Sequence, residues 1–272
     1  PIARLQKNDL AVEDLIISAL RKLKARIPID NWRLGVVKNT ENNVIELWVL
    51  DELNNTSLIS VNISAPEWIM QFIDDSGNKR NFISAASTWN SGDVVYLSPT
   101  EDEIQEFELK QVPEVQGAFI VMNAKTGEVL ALQGGFSYEL SEYNRASKAL
   151  RQPGSLFKPF VYLAALQNGL SPNSLVVDYP ISIKQVKGIW SPKNYSKRWF
   201  GIAPMRKGLE FSRNLMTVRL AQEIGMREVE KYAKVFRLYD EMPPYLSYAL
   251  GAGETSLLKL VTAYAMLANG GL

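Results

Sequence analysis

Arg151-Gln152-Pro153-Gly154-Ser155-Leu156-Phe157-Lys158-Pro159-Phe160 places a hydroxyl and an amine three residues apart, directly after a chain break. Pro153 and Gly154 interrupt the preceding segment, and Gly154 lets a ligand come close to the backbone. Ser155 then falls at the start of a helix, where free N–H groups and the positive dipole end favour a developing oxyanion. Lys158, one turn on, shares a helix face with Ser155. Pro159 is tolerated there because few N–H groups of a first turn have helical partners. Phe160, Val161, Leu163, Ala164 and Leu166 predict that the helix is buried. Burial desolvates the lysine and lowers its pKa until the neutral amine can accept a proton. The chemistry written in this string is acyl transfer, with Ser155 as nucleophile and Lys158 as its base.

The spacing alone is common. Ser-x-x-Lys recurs at Ser76–Lys79, in a polar turn, and at Ser256–Lys259, where the serine reads as a helix cap. Neither follows a break like Pro153-Gly154. A second candidate piece is Ser212-Arg213-Asn214. Its hydroxyl could relay a proton to a leaving amine, and its carboxamide could hold Lys158 or a substrate carbonyl. Ser-x-Asn by itself carries little, since it recurs at Ser60–Asn62, Ser76–Asn78 and Ser171–Asn173, and a helix cap or turn explains it equally well.

What the chain lacks narrows the chemistry further. It has no His and no Cys, which removes Ser-His-Asp and Cys-His catalysis, the usual zinc ligand sets, iron–sulfur clusters and disulfides. A base must then come from Lys, Tyr, Asp or Glu. The net charge of +1 over 272 residues gives no sign of a polyanionic partner. With 46% hydrophobic and 22% charged residues the composition is that of a globular chain, large enough for one big domain or two modest ones.

The elements that must hold these residues fall into two textures. Apolar residues at helical spacing predict an amphipathic helix over Leu10–Arg26, closed by Pro28. Short β-type runs follow at Trp32–Lys38, Val44–Leu50, Leu58–Ile63 and Val94–Leu97, separated by turns such as Asn39–Asn43 and Asp74–Asn78. They predict a small β-barrel or sandwich of OB size. An acidic stretch from Glu101 to Glu108 and Pro113 mark a boundary. Beyond it, Gly117–Met122 and Glu128–Gln133 predict a hairpin around Asn123–Gly127. Helices are predicted over Ser155–Asn168, Met205–Ile224, Val229–Phe236 and Leu257–Ala268, and Ser171–Gly201 reads as a surface loop lining a cleft. The division is residues 1–28 as a linker with the amphipathic helix, 29–113 as the β domain, and 114–272 as the domain that carries the chemistry.

Taken in order, these strings resemble the transpeptidase domain of class A, bifunctional penicillin-binding proteins. The likeness runs from Gly117 to Leu272. It takes in Asn123–Leu130, Tyr143-Asn144-Arg145-Ala146, Arg151–Phe160, Trp190-Ser191-Pro192-Lys193-Asn194-Tyr195, Ser212–Arg219, Gly251-Ala252-Gly253-Glu254-Thr255 and Tyr264–Gly271. Ser-x-x-Lys, a Ser-x-Asn element and Lys-Thr-Gly are the signature of this group and of serine β-lactamases. Trp32–Leu97 is similar to the OB-like insert of Gram-negative members. One element departs from the family order. The only Lys-Thr-Gly, Lys125-Thr126-Gly127, precedes Ser155 and sits in a hairpin turn; none follows Asn214.

The resemblance implies an α+β fold, a mixed sheet between helices of the penicillin-binding and serine β-lactamase type, preceded by a small OB-like β-barrel. It implies D-alanyl-D-alanine transpeptidation of peptidoglycan stem peptides, covalent inhibition by β-lactams, and no cofactor or metal. Ser155, Lys158, Ser212 and Asn214 would be catalytic, and Gly154, Trp190, Asn194 and Tyr195 would contact substrate. The setting implied is the periplasmic face of the bacterial inner membrane, with the anchor, the glycosyltransferase domain and the third motif expected outside these residues. Two rivals stay open: a carboxypeptidase or β-lactamase-like hydrolase in which water resolves the acyl-enzyme, and a non-catalytic interaction module. Trp190, Tyr195, Trp199 and Phe200 could stack on a glycan or an acyl side chain, though packing within their loop is the favoured reading, and Lys184, Lys187, Lys193, Lys197, Arg198, Arg206 and Lys207 could meet acidic wall polymer, though a solvated face is favoured. Nucleic-acid binding by the β domain is not expected, because Trp32–Leu97 carries no stripe of alternating basic and aromatic residues.

Overall fold

The fold is that of a computed structural model, which describes residues 3–4, 27–29, 31–50, 56–63, 71–73, 76–100, 107–185 and 188–271. The helix expected over Leu10–Arg26, most of the acidic stretch from Glu101, and Lys187 lie outside the described residues. The chain divides into two compact units, Pro1–Gln116 with Phe136–Glu142, and Gly117–Gly135 with Tyr143–Leu272.

In the first unit, β1 (Ala3–Arg4), β2 (Arg33–Glu41), β3 (Val44–Leu50), β4 (Thr56–Asn62), β5 (Gln71–Ile73), β6 (Lys79–Asn81), α1 (Ala85–Thr88), β7 (Asp93–Pro99) and β8 (Phe107–Lys110) follow one another. Six of the strands make one antiparallel sheet in the order β1-β7-β2-β3-β4, with β8 also on β7. Its edge strands β4 and β8 approach within 8 Å, so the sheet curls toward closure. Val44–Leu50 is a strand with the bounds its alternation predicts. β2 outruns the expected turn: it continues to Glu41, and Asn42 turns the chain with a φ of 51°, which asparagine tolerates. β2 and β7 are buried on both faces. Val37, Leu47, Val95 and Leu97 fill one side, while Leu34, Val36, Val94 and Tyr96 fill the other with Trp32 and Phe136. Each fully buried aliphatic side chain here contributes about 1.5–3 kcal/mol.

The second unit opens with the antiparallel hairpin β9 (Phe119–Met122) and β10 (Val129–Gln133). Its turn is held by Asn123, whose Oδ1 accepts from Lys125 N at 3.0 Å, and Gly127 takes a φ of 73°. This pair is one of four two-stranded antiparallel sheets among the described residues of the unit, and α7 (Leu257–Ala268) packs on β9. Between them come α2 (Arg145–Lys148), β11 (Leu150–Arg151), a 3-10 turn (Gly154–Phe157), α3 (Lys158–Gln167), β12 (Leu175–Asp178), β13 (Ile183–Gln185), β14 (Gly188–Trp190) and β15 (Gly201–Pro204). Then follow α4 (Met205–Glu210), α5 (Asn214–Ile224), α6 (Met226–Val235), a second 3-10 turn (Leu246–Leu250) and β16 (Thr255–Ser256).

α3 is the axis of this unit. Phe160, Val161, Ala164 and Ala165 are fully buried against Met216, Leu220 and Ala221 of α5, Val229 and Ala233 of α6, and Leu260 and Ala263 of α7. Two elements differ from their sequence expectation. The stretch Ser171–Gly201 is not all loop, since β12 and β15 pair from Leu175↔Pro204 to Asp178↔Gly201. The helix expected over Met205–Ile224 is two helices, broken at Phe211-Ser212-Arg213.

Candidate active site

Ser155 lies in the 3-10 turn that leads into α3, with its side chain exposed. The turn is shaped from a distance. β11 pairs with β16, Arg151 opposite Thr255, and Gly154 N donates to Gly251 O at 3.2 Å. Gly154 and Gly251 take φ of 56° and 74°, and a Cβ on Gly251 would stand 2.1 Å from the Gly154 carbonyl oxygen. Only glycine fits at 251 on both counts. From the other side, the Tyr264 hydroxyl of α7 donates to Leu156 O at 2.9 Å.

Lys158 begins α3 proper, is 1% exposed, and turns its amine toward the break between α4 and α5. Nζ donates to Ser212 O at 2.6 Å, to Ser212 Oγ at 3.0 Å and to Asn214 Oδ1 at 2.6 Å. The amide of Asn214 is oriented by its own donor, Nδ2 to Lys193 O at 2.8 Å. Burial, then the positive charge of Arg213, pulls the Lys158 pKa down to about 8.

The break that supplies these partners is a helix C-terminal motif. Arg213 N donates to Gly208 O at 2.7 Å and Ser212 N to Leu209 O at 3.1 Å, the 6→1 and 5→2 bonds of a Schellman ending. The residue that such an ending places in the left-handed region is usually glycine. Here it is Ser212, with a φ of 52°. The left-handed conformation costs a non-glycine residue about 1–2 kcal/mol. In return, one residue aims both its carbonyl and its hydroxyl at Lys158.

Behind the break sits a buried polar cluster. Asp178 of β12, fully buried, receives Arg213 Nε at 2.9 Å and Nη2 at 2.8 Å, Phe200 N at 2.9 Å and Asn194 Nδ2 at 2.8 Å. Arg213 also donates to Ser196 Oγ at 2.9 Å and to Arg198 O, and its guanidinium lies 4.4 Å from the Phe200 ring centre. Asn194 Oδ1 accepts from Leu215 N at 3.2 Å, in the first turn of α5. Removing one partner of a buried ion pair typically costs about 3–5 kcal/mol, because the other charge is left unpaired.

A scan against family models matches residues 117–272 to the penicillin binding protein transpeptidase domain and residues 1–115 to the penicillin-binding protein OB-like domain. The chain belongs to the penicillin-binding protein transpeptidase family. A curated relative, Penicillin-binding protein 1A of Rickettsia prowazekii, is 40% identical over 93% of this chain and 32% of its own length. Penicillin-binding protein 1A of Neisseria gonorrhoeae is 44% identical over 59% of the chain and 21% of that relative. The crystal structure of Penicillin-Binding Protein 1A from Haemophilus influenzae superposes with a TM-score of 0.75 at 29% identity, covering 97% of this chain and 37% of that one. The chain thus spans about a third of the length of the Rickettsia and Haemophilus relatives and about a fifth of the Neisseria one.

Set on this transpeptidase fold, the expected residues separate. Lys158, Ser212 and Asn214 converge within hydrogen-bond distance, and Ser155 stands one turn before Lys158 with no side-chain hydrogen bond among the described residues. Gly154 shapes the turn. Trp190 is half-buried at the end of β14, opposite Ile183, and Tyr195 is fully exposed. Asn194 is not presented to a ligand: it is 4% exposed, and its oxygen and both its amide hydrogens are engaged by Leu215 N, Asp178 and Arg198 O. Of the other Ser-x-x-Lys copies, Ser256 caps α7 through Lys259 N, and Lys259 pairs with Asp240. Lys125 is exposed in the hairpin turn. No motif marks Asp178, and Arg213 lies inside a motif that gave it no role. Leu175-Val176-Val177-Asp178 shows no alternation in sequence, and the pattern Leu175 out, Val176 in, Val177 out, Asp178 in appears only in the structure.

Proposed function

We propose that this chain carries the acylation site of a D-alanyl-D-alanine transpeptidase that cross-links peptidoglycan stem peptides and is covalently trapped by β-lactams. The observation that carries the reading is the buried Lys158 amine, ringed by Ser212 and Asn214, one turn from Ser155. A neutral amine has two N–H donors and one lone pair. The Ser212 carbonyl and Asn214 Oδ1 are acceptors only, so they take both N–H groups and leave the lone pair for a hydroxyl proton. With a pKa of about 8, roughly one Lys158 in ten is neutral at pH 7, against about one in three thousand for an ordinary lysine.

Ser155 Oγ attacks the penultimate D-Ala carbonyl while its proton passes to Lys158, and the Ser155 N–H is the turn donor proposed to meet the developing oxyanion, since Gly154 N and Leu156 N are bonded to Gly251 O and Pro153 O. Ser212 Oγ, already 3.0 Å from Nζ, hands the proton to the departing amine of the terminal D-Ala. A stem-peptide amine then attacks the acyl-enzyme and frees Ser155. Trp190 and Tyr195 are proposed to contact the stem peptide, whereas Asn194 is proposed to position Asn214 rather than to touch substrate. The division that fits this reading is an OB-like domain over 29–113 and the transpeptidase domain over 114–272, near the spans of the two family models. Its setting would be the periplasmic face of the inner membrane. No helix among the described residues is long and apolar enough to cross a membrane.

Peptide mapping after incubation of the whole protein with a labelled penicillin tests the assignment. The adduct is expected on Ser155 and lost in Ser155→Ala, while Lys125→Ala labels within a few-fold of the parent protein. An adduct on Ser76, Ser212 or Ser256 would sink it.

A further inference from the structure

The three partners of Lys158 come from residues that their own helix geometry does not fix. Ser212 sits in a left-handed turn, and Asn214 owes its amide orientation to the carbonyl of Lys193, 21 residues away. Both segments converge on one carboxylate. Asp178 Oδ2 receives Arg213, the residue between Ser212 and Asn214, and also Phe200 N; its Oδ1 receives Asn194, the residue after Lys193. Asp178 itself is anchored in the β12–β15 ladder opposite Gly201. A single strand residue therefore pins the turn that carries Ser212 and the segment that orients Asn214. Four donors to two oxygens is a valence that only a carboxylate at this position supplies.

We infer that Asp178 is a positioning residue for acylation, holding Ser212 and Asn214 on Lys158 through Arg213 and Asn194. The inference rests on the reading of Ser155 and Lys158 above. Arg213 has a second effect, since its charge lies close enough to Lys158 to oppose protonation, and Asp178 is the counter-charge that sets how strongly. Among the described charged groups on elements packed against α3, Arg213 is the one whose field reaches Lys158. Lys207 with Glu210 on α4, and Glu228 with Lys231 and Glu230 with Lys234 on α6, are paired with one another at the surface. Tyr162 shares the helix of Lys158, bonds Thr217, and is held protonated by burial, with its pKa pushed up to about 12.

The test is the pH dependence of the penicillin acylation rate in the whole protein, with thermal unfolding measured alongside. Asp178→Asn keeps the size but offers one acceptor oxygen instead of two. Its high-pH plateau should fall about ten- to a hundredfold, and its midpoint should move below about 8, because Arg213 is left uncompensated. Arg213→Met should lower the plateau too, but move the midpoint up. Opposite midpoint shifts with the same plateau loss are what a purely structural role would not produce. If Asp178→Asn does not fold, Arg213→Lys serves instead: it keeps the charge and loses the fork that reaches Asp178, Ser196 and Arg198 together. It should cost about tenfold in plateau with the midpoint nearly unmoved. Wild-type plateau and midpoint in these folded variants, with only the unfolding temperature lowered, would overturn the inference. Ser155→Ala, run in parallel, keeps the two readings apart: continued acylation there defeats the assignment of the site, whatever Asp178 does.

Discussion

The two units bury their residues by different rules. In the first, the interior is mainly apolar, with Asp93, Ser98 and Ser137 its buried polar residues among those described. Val37, Ile45, Leu47 and Leu97 are fully buried, and their strands pair antiparallel, with one irregularity between Val37 and Asn39. In the second, a comparable apolar core around α3 is bordered by Lys158, Asp178, Asn194, Arg213 and Thr217, all buried. A strained serine stands where glycine would be comfortable. An apolar interior stabilises by area and tolerates adjustment. A buried polar cluster has to be satisfied atom by atom, and this one is: each donor and acceptor named around Asp178 has its partner. On the proposed function, the constraint is met beside an exposed hydroxyl because the chemistry needs these groups held in place.

The largest effect that separates the two units should come from Lys158. Lys158→Ala and Lys158→Arg should both lower penicillin acylation by about two to four orders of magnitude, since arginine keeps the charge but cannot give up its proton. Near-normal acylation by Lys158→Arg would mean that the amine acts only as a charge. In the parent protein the rate should rise about tenfold per pH unit below the Lys158 pKa and level off above about 8. The direction follows from the neutral form being the base and from burial having moved its pKa downward. A rate independent of pH between 6 and 8 would contradict it.

A smaller and opposite pattern is expected from the first unit. Leu47→Ala empties a fully buried site and should destabilise that unit by about 2–5 kcal/mol in denaturant titration, with acylation by the folded protein unchanged. The finest contrast is at Ser212. Ser212→Gly and Ser212→Ala both remove the hydroxyl and should both acylate poorly. The glycine variant should nevertheless be about 1 kcal/mol more stable than the alanine one, because only glycine accepts a φ of 52° without strain. Equal stabilities would mean that the turn relaxes when the hydroxyl is gone.

What could be read ahead of the structure was what is local. Ser155 and Lys158 lie within one turn, with Pro153 and Gly154 beside them, so four neighbouring residues carry the message. The strands of the first unit announce themselves by alternation, and Leu257–Ala268 forms a helix with its predicted bounds. Long-range polar partnership was not legible. Asp178 and Arg213 are 35 residues apart and no spacing rule connects them. The β12–β15 ladder hid because its outward residues, Leu175, Val177 and Ile202, are apolar as well, which blurs the two-residue period. The helix break at Ser212 hid because neither proline nor glycine marks it, and apolar residues continue through it at Leu209, Phe211 and Leu215. Asn194 lay inside a family string, yet it takes the structure to show that its amide is already spent on backbone and Asp178.

The contact between Gly154 and Gly251 has a consequence for how the protein reaches its working state. The turn that presents Ser155 is completed by a residue 97 positions later in the chain, and the amine beside it finds its partners 54 and 56 positions later. Closing loops of that length costs entropy that is recovered only when the segments between them have packed, so these contacts form late. A nascent or partly refolded chain is expected to hold Ser155 and Lys158 in sequence but not in register, with the lysine still in solvent. On the proposed function, reactivity is thereby a property of the finished topology, withheld until Gly251 and its neighbours have packed.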